Sequence, residues 1–157
     1  MEKTGYVCLN SFCKCIIDLY GKEYLRKLTA TDVTRLYSTH EEKHGSKRML
    51  DNIDCMHCAW KNCPVAWKGQ YTRGDHGHPT IMLETVASYD MWICDSFFGM
   101  AGSNNDIYVL NHSPLFDSLK KDRPAPSPFE VNGHVYPFSY YLADGIYLDW
   151  TTLIKGY

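Results

Sequence analysis

The chain has 157 residues, of which 45% are hydrophobic and 22% charged, enough for one domain with its own core. This composition excludes a disordered chain, and no run approaches the roughly 20 apolar residues that span a bilayer. The net charge of -2 argues against binding nucleic acid over the whole surface. Seven cysteines and a start unlike a signal peptide lead us to expect a reducing compartment.

Two helices are predicted at the start of the chain. Apolar residues spaced three and four apart predict the first helix over 8–20. Thr31 or Asp32 is the predicted N-cap of the second helix. We therefore expect an N-terminal helical segment over 1–47, followed by the main domain over 48–157.

The apolar pattern then changes to that of β-strands separated by turn residues. Asn132 and Gly133 mark the tip of a hairpin, and Ser103 is the predicted cap of a short helix. Strands interleaved with helices predict a mixed α/β sheet. The predicted elements are strands over 49–56, 79–88, 91–100 and 139–143, a hairpin over 129–136, a loop over 122–128, and helices beginning at Ser103 and Trp150.

Two aspartates lie where predicted strands end. Asp54 is near the end of the first strand, and Asp144 directly follows the strand over 139–143. Sheets of α/β proteins place functional groups at strand ends. The alternative is structural, because Asp54 could cap a turn and Asp144-Gly145 is a common turn pair. The residues alone leave both interpretations open.

Five segments go beyond a general α/β pattern, and the strings DCMH at 54–57 and WKNCP at 60–64 are too odd in composition for chance similarity. The five segments are IDCMHCAWKNCPVAWKGQ at 53–70, LETVAS at 83–88, FFGMAGSNNDI at 97–107, VLNHSPLF at 109–116 and YLADGIY at 141–147. Together they closely resemble the plant transposon protein family of PIF/Harbinger type. The resemblance runs from about Phe12 to Tyr157, which is nearly the whole chain.

The resemblance implies a ribonuclease-H-like fold and a DDE nuclease site, which cleaves DNA with two Mg²⁺ or Mn²⁺ ions. It implies that Asp54 and Asp144 are the first two catalytic, metal-binding acids. The third acid, a glutamate, is expected beyond Tyr157, so we expect a sheet incomplete at the C-terminus and a truncated copy with little or no cleavage. The implied partners are DNA and a Myb-like DNA-binding protein, in the nucleus or cytoplasm, with no membrane.

The sequence departs from the family pattern in several places. Asp51 and Asn52 stand where relatives tend to have Gly-Ser, and Cys58 and Cys94 stand where relatives carry tryptophan. These changes suggest a decayed gene product. The alternative is a domesticated nuclear protein that has lost catalysis and binds another protein or DNA.

Basic residues among aromatic ones predict DNA contacts just after Asp54. His57, Lys61, Lys68 and Arg73 are the candidates, because cations hold phosphates and aromatic rings stack on bases. The alternative is a solvated loop that its tryptophans anchor.

Two further interpretations are weak. A zinc site is suggested by the cysteines and histidines of the same region, but a second Cys-x-x-Cys pair is lacking. Asp106 could supply a third acid, but its place in the chain differs from that of the family's glutamate. We expect it to interact favourably with the start of a helix instead.

Overall fold

A five-stranded mixed sheet organises the computed structural model, which describes residues 2–115, 117, 126–147 and 149–156. Its helices are α1 (Glu2–Tyr24), α2 (Ala30–His44), α3 (Lys68–Tyr71) and α4 (Asp106–His112), and its strands are β1 (Met49–Ala59), β2 (Thr80–Ala87), β3 (Ile93–Ala101), β4 (Phe129–Val131), β5 (His134–Tyr136), β6 (Tyr140–Ala143) and β7 (Leu153–Lys155). The strand order is β3-β2-β1-β6-β7, and β4 and β5 form a separate hairpin. β6 runs parallel to β1 and β7, whereas β2 is antiparallel to β1 and β3.

The predicted strands are confirmed, because their apolar alternation matches a sheet with one covered face. In β2 every second side chain is buried. Asn132 and Gly133 both have positive φ, 52° and 80°, as a two-residue hairpin turn requires. β1 is longer than predicted and continues to Ala59, so Asp54 lies inside the strand rather than at its end. The loop predicted over 122–128 falls largely outside the described residues.

The helix predicted from Trp150 is wrong. Residues 153–155 form β7, in which Leu153 pairs with Tyr141 in parallel register. Leu153 is buried in the same core cluster as Ile53. Because this burial depends on strands distant in the chain, local periodicity could not distinguish a short strand from the start of a helix.

The two N-terminal helices are confirmed, but the predicted caps are wrong. Thr29 caps α2 with its side chain, and the Asp32 carboxylate accepts a hydrogen bond from the Thr29 backbone N–H. This reciprocal capping box makes Asp32 the third residue of the helix, not its cap. Asn105, rather than Ser103, caps α4 by accepting a hydrogen bond from the Tyr108 backbone N–H.

The main core lies on one face of the sheet, where α4 packs against β2. Val109 and Leu110 of α4 are completely buried. Ile53 on β1 and Val86 on β2 point to this face and pair with each other across the strands. The core cluster consists of Ile53, Val86, Leu110, Ala143, Tyr147 and Leu153.

The opposite face of the sheet is covered only in part by α2. Leu36 and His40 of α2 are buried, and α2 packs against β1. In contrast, α1 leaves large apolar side chains more than half exposed, among them Tyr6, Leu9 and Phe12. Across the described residues, no helix combines the length and apolar character needed to cross a membrane.

Candidate active site

The parallel pairing of β1 with β6 brings Asp54 and Asp144 to equivalent positions. Asn52 of β1 lies opposite Leu142 of β6. Two residues further along each chain are Asp54 and Asp144. Because side chains alternate along a strand and neighbouring strands are about 5 Å apart, extending this register by two residues predicts that the two carboxylates leave the same face.

Asp54 and Asp144 are both exposed to solvent, whereas Asp51, three residues before Asp54 on β1, is buried. The burial pattern of β1 alternates, with Asp51 and Ile53 buried and Asp54 exposed. Cys55 therefore points to the opposite face from Asp54. There the Tyr147 hydroxyl donates to the Cys55 sulfur at 3.3 Å. Asp54 is thus accessible, although it lies within a strand.

Asp106, at the first turn of α4, interacts electrostatically with both aspartates. Burial raises its pKa, and the nearby carboxylates of Asp54 and Asp144 raise it further, while His57 and Arg73 oppose the shift. The sequence argument against Asp106 considered only its place in the chain. Its proximity was missed because it depends on how the β3–α4 connection returns over the sheet, although the run of polar residues at 103–106 did mark the start of a helix.

The chemistry of the two exposed aspartates fits one hard divalent cation. Mg²⁺ prefers oxygen ligands and is usually held by one or two carboxylates together with several waters. Within the described ranges, no group of three or more His, Cys, Asp or Glu side chains is arranged to hold a metal ion.

A cysteine site for zinc receives no support from the thiols. All seven cysteines are free. Burial raises the pKa of the Cys55 thiol to about 12, which disfavours the thiolate that binds zinc. The weak zinc interpretation of the sequence gains nothing from this geometry.

His57 lies on the face of β1 opposite to Asp54 and forms a hydrogen bond there. Its Nδ1 is 2.8 Å from the Thr80 hydroxyl, and its ring lies 4.3 Å from that of His76. Burial lowers the pKa of His57, and the neighbouring His76 and Arg73 lower it further. Among the described residues its Nε2 is buried without a hydrogen-bond partner, so this nitrogen is not available to DNA in this arrangement.

The three other predicted DNA contacts lie on the loop that follows β1. Lys61 and Lys68 are exposed, and neither forms an ion pair within the described part of the chain. Arg73 forms an ion pair with Asp75, in which Nε and Oδ1 are 3.0 Å apart. The two lysines are therefore more available to a phosphate than Arg73.

Two buried acids were not predicted from the sequence. Asp51 is completely buried and Glu84 nearly so, and both have carboxylate oxygens without a hydrogen-bond partner. Burial raises the pKa of Asp51 to about 6, against a smaller opposing effect of the Cys94 thiol, and burial also raises the pKa of Glu84. The departures at Asp51 and Cys94 therefore meet in space, which their separation in the chain conceals.

Comparison with known families gives a match that covers most of this structure. The family described as plant transposon protein matches residues 22–157. The chain belongs to this family. No curated protein and no solved structure gives a further match.

The matched range of this plant transposon protein begins near the end of α1 and includes the whole sheet. It contains Asp54, Asp144 and the loop with Lys61 and Lys68. It also starts well before the boundary predicted at 47–48, so that division stays a prediction. The match establishes a transposon-related protein, and the roles of its residues are inferred from geometry below.

Proposed function

We propose that this protein derives from a PIF/Harbinger-type transposase and has the DDE type of nuclease site. Its substrate is DNA, and its reaction is cleavage of a phosphodiester bond with Mg²⁺ or Mn²⁺. Asp54 and Asp144 are the catalytic and metal-binding residues in this proposal. The observation that carries it is the β1–β6 register, in which the paired residues Asn52 and Leu142 each lie two residues before one of these exposed aspartates.

The strand order supports a ribonuclease-H-like assignment. A central strand flanked on one side by parallel strands and on the other by an antiparallel pair gives the order β3-β2-β1-β6-β7. The acids lie on β1 and directly after β6, at the centre of this sheet. His40 and His44 of α2 lie around one cavity with Asn52. Asp54 and Asp144 themselves are exposed, so a large substrate could reach them.

In this proposal the carboxylates of Asp54 and Asp144 would hold the divalent ion. A bound divalent ion supplies an activated water and neutralises charge on the leaving oxygen. Asp106 adds negative charge close by, which favours a cation there. Lys61 and Lys68 hold the phosphates of the flanking DNA strand, with Arg73 and His57 nearby. Two carboxylates can hold one ion, but the reaction of this type of site uses two. We therefore expect slow cleavage.

Plasmid nicking tests this proposal directly. We expect slow nicking of supercoiled DNA with Mg²⁺ or Mn²⁺ and none with EDTA. Asp54→Asn and Asp144→Asn should each reduce the rate about tenfold or more, because each removes a charged ligand. The matched control is Asp18→Asn, an exposed aspartate on α1. Metal-dependent nicking that is unchanged in Asp54→Asn would contradict the assignment.

A second candidate function is favoured by α1. The domesticated alternative is a nuclear protein that binds a partner protein, such as a Myb-like protein, without catalysis. Exposed apolar side chains along α1, including Leu9, Phe12 and Ile17, suit such an interaction. If the wild-type protein shows no nicking above the Asp54→Asn background, the nuclease proposal fails and this second function is favoured.

A further inference from the structure

Three aromatic side chains form a cluster on the segment between β1 and β2, which includes α3; we call this segment the loop. The ring centroids of Trp60 and Tyr71 are 4.9 Å apart, and those of Trp60 and Trp67 are 5.8 Å apart. Trp67 and Tyr71 are nearly parallel, with an angle of 22° between their planes. Trp67 is still 50% exposed, so one part of a large aromatic ring faces solvent. We call Trp60, Trp67 and Tyr71 the aromatic platform.

The loop that carries the aromatic platform is built to keep its shape. The Trp60 backbone N–H donates to the Pro79 carbonyl at 2.9 Å, which ties the end of β1 to the start of β2. Cys63 is buried beneath the loop. A Cβ at Gly102 would lie 2.9 Å from the Tyr71 carbonyl oxygen, so the chain after β3 packs directly against the loop. A fixed loop loses little conformational entropy when it binds a ligand.

The surface around the aromatic platform is positively charged. Lys61 and Lys68 flank Trp67 in the chain, and the segment from Lys61 to Arg73 contains no acid. Both lysines are exposed and lack ion pairs among the described residues. Exposed aromatic rings beside unpaired cations are the features that bind single-stranded nucleic acid, through base stacking and phosphate contacts.

The aromatic platform begins at Trp60, directly after β1, the strand that carries Asp54 of the proposed cleavage site. Arg73, which follows the platform in the chain, lies near enough to His57 and Asp106 to influence both. Asp106 in turn lies near Asp54 and Asp144. The five residue-to-residue steps from Asp54 to Ala59 span about 17 Å along β1, comparable to a few nucleotides of DNA.

We propose that the aromatic platform binds an unpaired base of a DNA strand next to the cleavage site. The base stacks on the exposed face of Trp67, and Lys61 and Lys68 contact the adjoining phosphates. The protein therefore prefers DNA with a single-stranded tail over a blunt duplex. This inference rests on the proposed function only for the identity of the substrate as DNA.

Fluorescence anisotropy in EDTA tests this preference without metal or cleavage. The probes are a labelled blunt duplex and the same duplex with a single-stranded tail. We expect Trp67→Ala to weaken binding of the tailed probe by about 5-fold to 100-fold and that of the blunt probe less than about twofold. Trp67→Phe should restore much of the loss, since a smaller aromatic ring still stacks. The matched control is Val65→Ala, an exposed side chain on the same loop.

Salt titration of the tailed probe tests the lysines. Lys61→Gln and Lys68→Gln should each reduce the slope of log affinity against log salt by about 0.7, the value for one single-strand phosphate contact. Equal losses of both probes in Trp67→Ala, or no loss, would overturn the aromatic platform. A stronger affinity for a tail of RNA would overturn its assignment to DNA. Because these experiments measure DNA binding and not cleavage, their result can be interpreted even if the nuclease proposal fails.

Discussion

Asp51 and Asp54 lie three residues apart on the same strand and have opposite environments. Asp51 is completely buried, and neither of its carboxylate oxygens has a hydrogen-bond partner. Asp54 is exposed, as is Asp144, which directly follows the neighbouring strand β6. Because side chains alternate along a strand, an odd separation puts them on opposite faces. The face, more than the residue type, therefore decides whether a carboxylate on β1 can bind a cation.

The buried acid has a cost that the exposed acid does not have. A buried carboxylate without a partner favours its neutral form, which is why the pKa of Asp51 rises to about 6. Glu84 on β2 has a raised pKa for the same main reason. These two acids destabilise the fold at neutral pH, whereas Asp54 and Asp144 are exposed, where a charge remains solvated. The predictions below test this difference.

The largest expected effect is on the pH dependence of stability at Asp51. Its pKa is about 6 when folded and 3.8 ordinarily, so ionisation at neutral pH costs about 3 kcal/mol of the free energy of unfolding. Because the folded state binds the proton more tightly, this stability is present below about pH 4 and is lost as the pH rises through 6. Asp51→Asn should therefore gain about 3 kcal/mol relative to wild type between pH 4 and 7.5.

Urea unfolding at both pH values measures this gain as a difference, so a constant effect of the new amide cancels. Asp18→Asn, an exposed aspartate on α1, is the control and should show little change with pH. If Asp51→Asn and the wild type kept the same difference at pH 4 and 7.5, Asp51 would not be the buried ionisable group that the structure indicates.

The next effect is on metal affinity. We expect Asp54→Asn and Asp144→Asn each to weaken Mn²⁺ binding about tenfold or more, since each removes a charged oxygen ligand. Asp51→Asn should change it less than about twofold, because its carboxyl lies on the other face. Electron paramagnetic resonance of Mn²⁺ measures the free ion directly. A similar loss in all three variants would mean that the two faces are not separate.

Much of this comparison was accessible from the sequence. Alternating apolar residues predicted β2, β3 and β6, and the resemblance to transposon proteins singled out Asp54 and Asp144. The alternation on β1 even predicts that Cys55 and Asp54 point apart. What local patterns could not show was pairing: β7 is a strand because Leu153 fits beside Tyr141 in the core, not because of its own neighbours.

The surroundings of the acids were harder to predict than the acids themselves. Asp106 was rejected on its position in the chain, yet it lies near Asp54 and Asp144 because α4 packs back against β2. The burial of Asp51 beside Cys94 joins two residues from different strands. Both depend on tertiary contacts, which a single sequence does not reveal.

The smallest expected effect comes from adding an acid to the exposed face. Asn52 is exposed and two residues before Asp54, so an Asn52→Asp side chain should leave on the same face, about 7 Å away. Away from the buried face it should change the free energy of unfolding by less than about 0.5 kcal/mol. Its attraction for a divalent ion at Asp54 is about 1 kcal/mol in water and less in salt, so Mn²⁺ should bind about twofold tighter.

A loss of stability comparable to the cost at Asp51, measured by urea unfolding at pH 7.5, would show that burial on β1 does not follow the alternation. The argument for an accessible carboxylate pair would then lose its basis, since Asp54 is assigned to the open face by that same alternation.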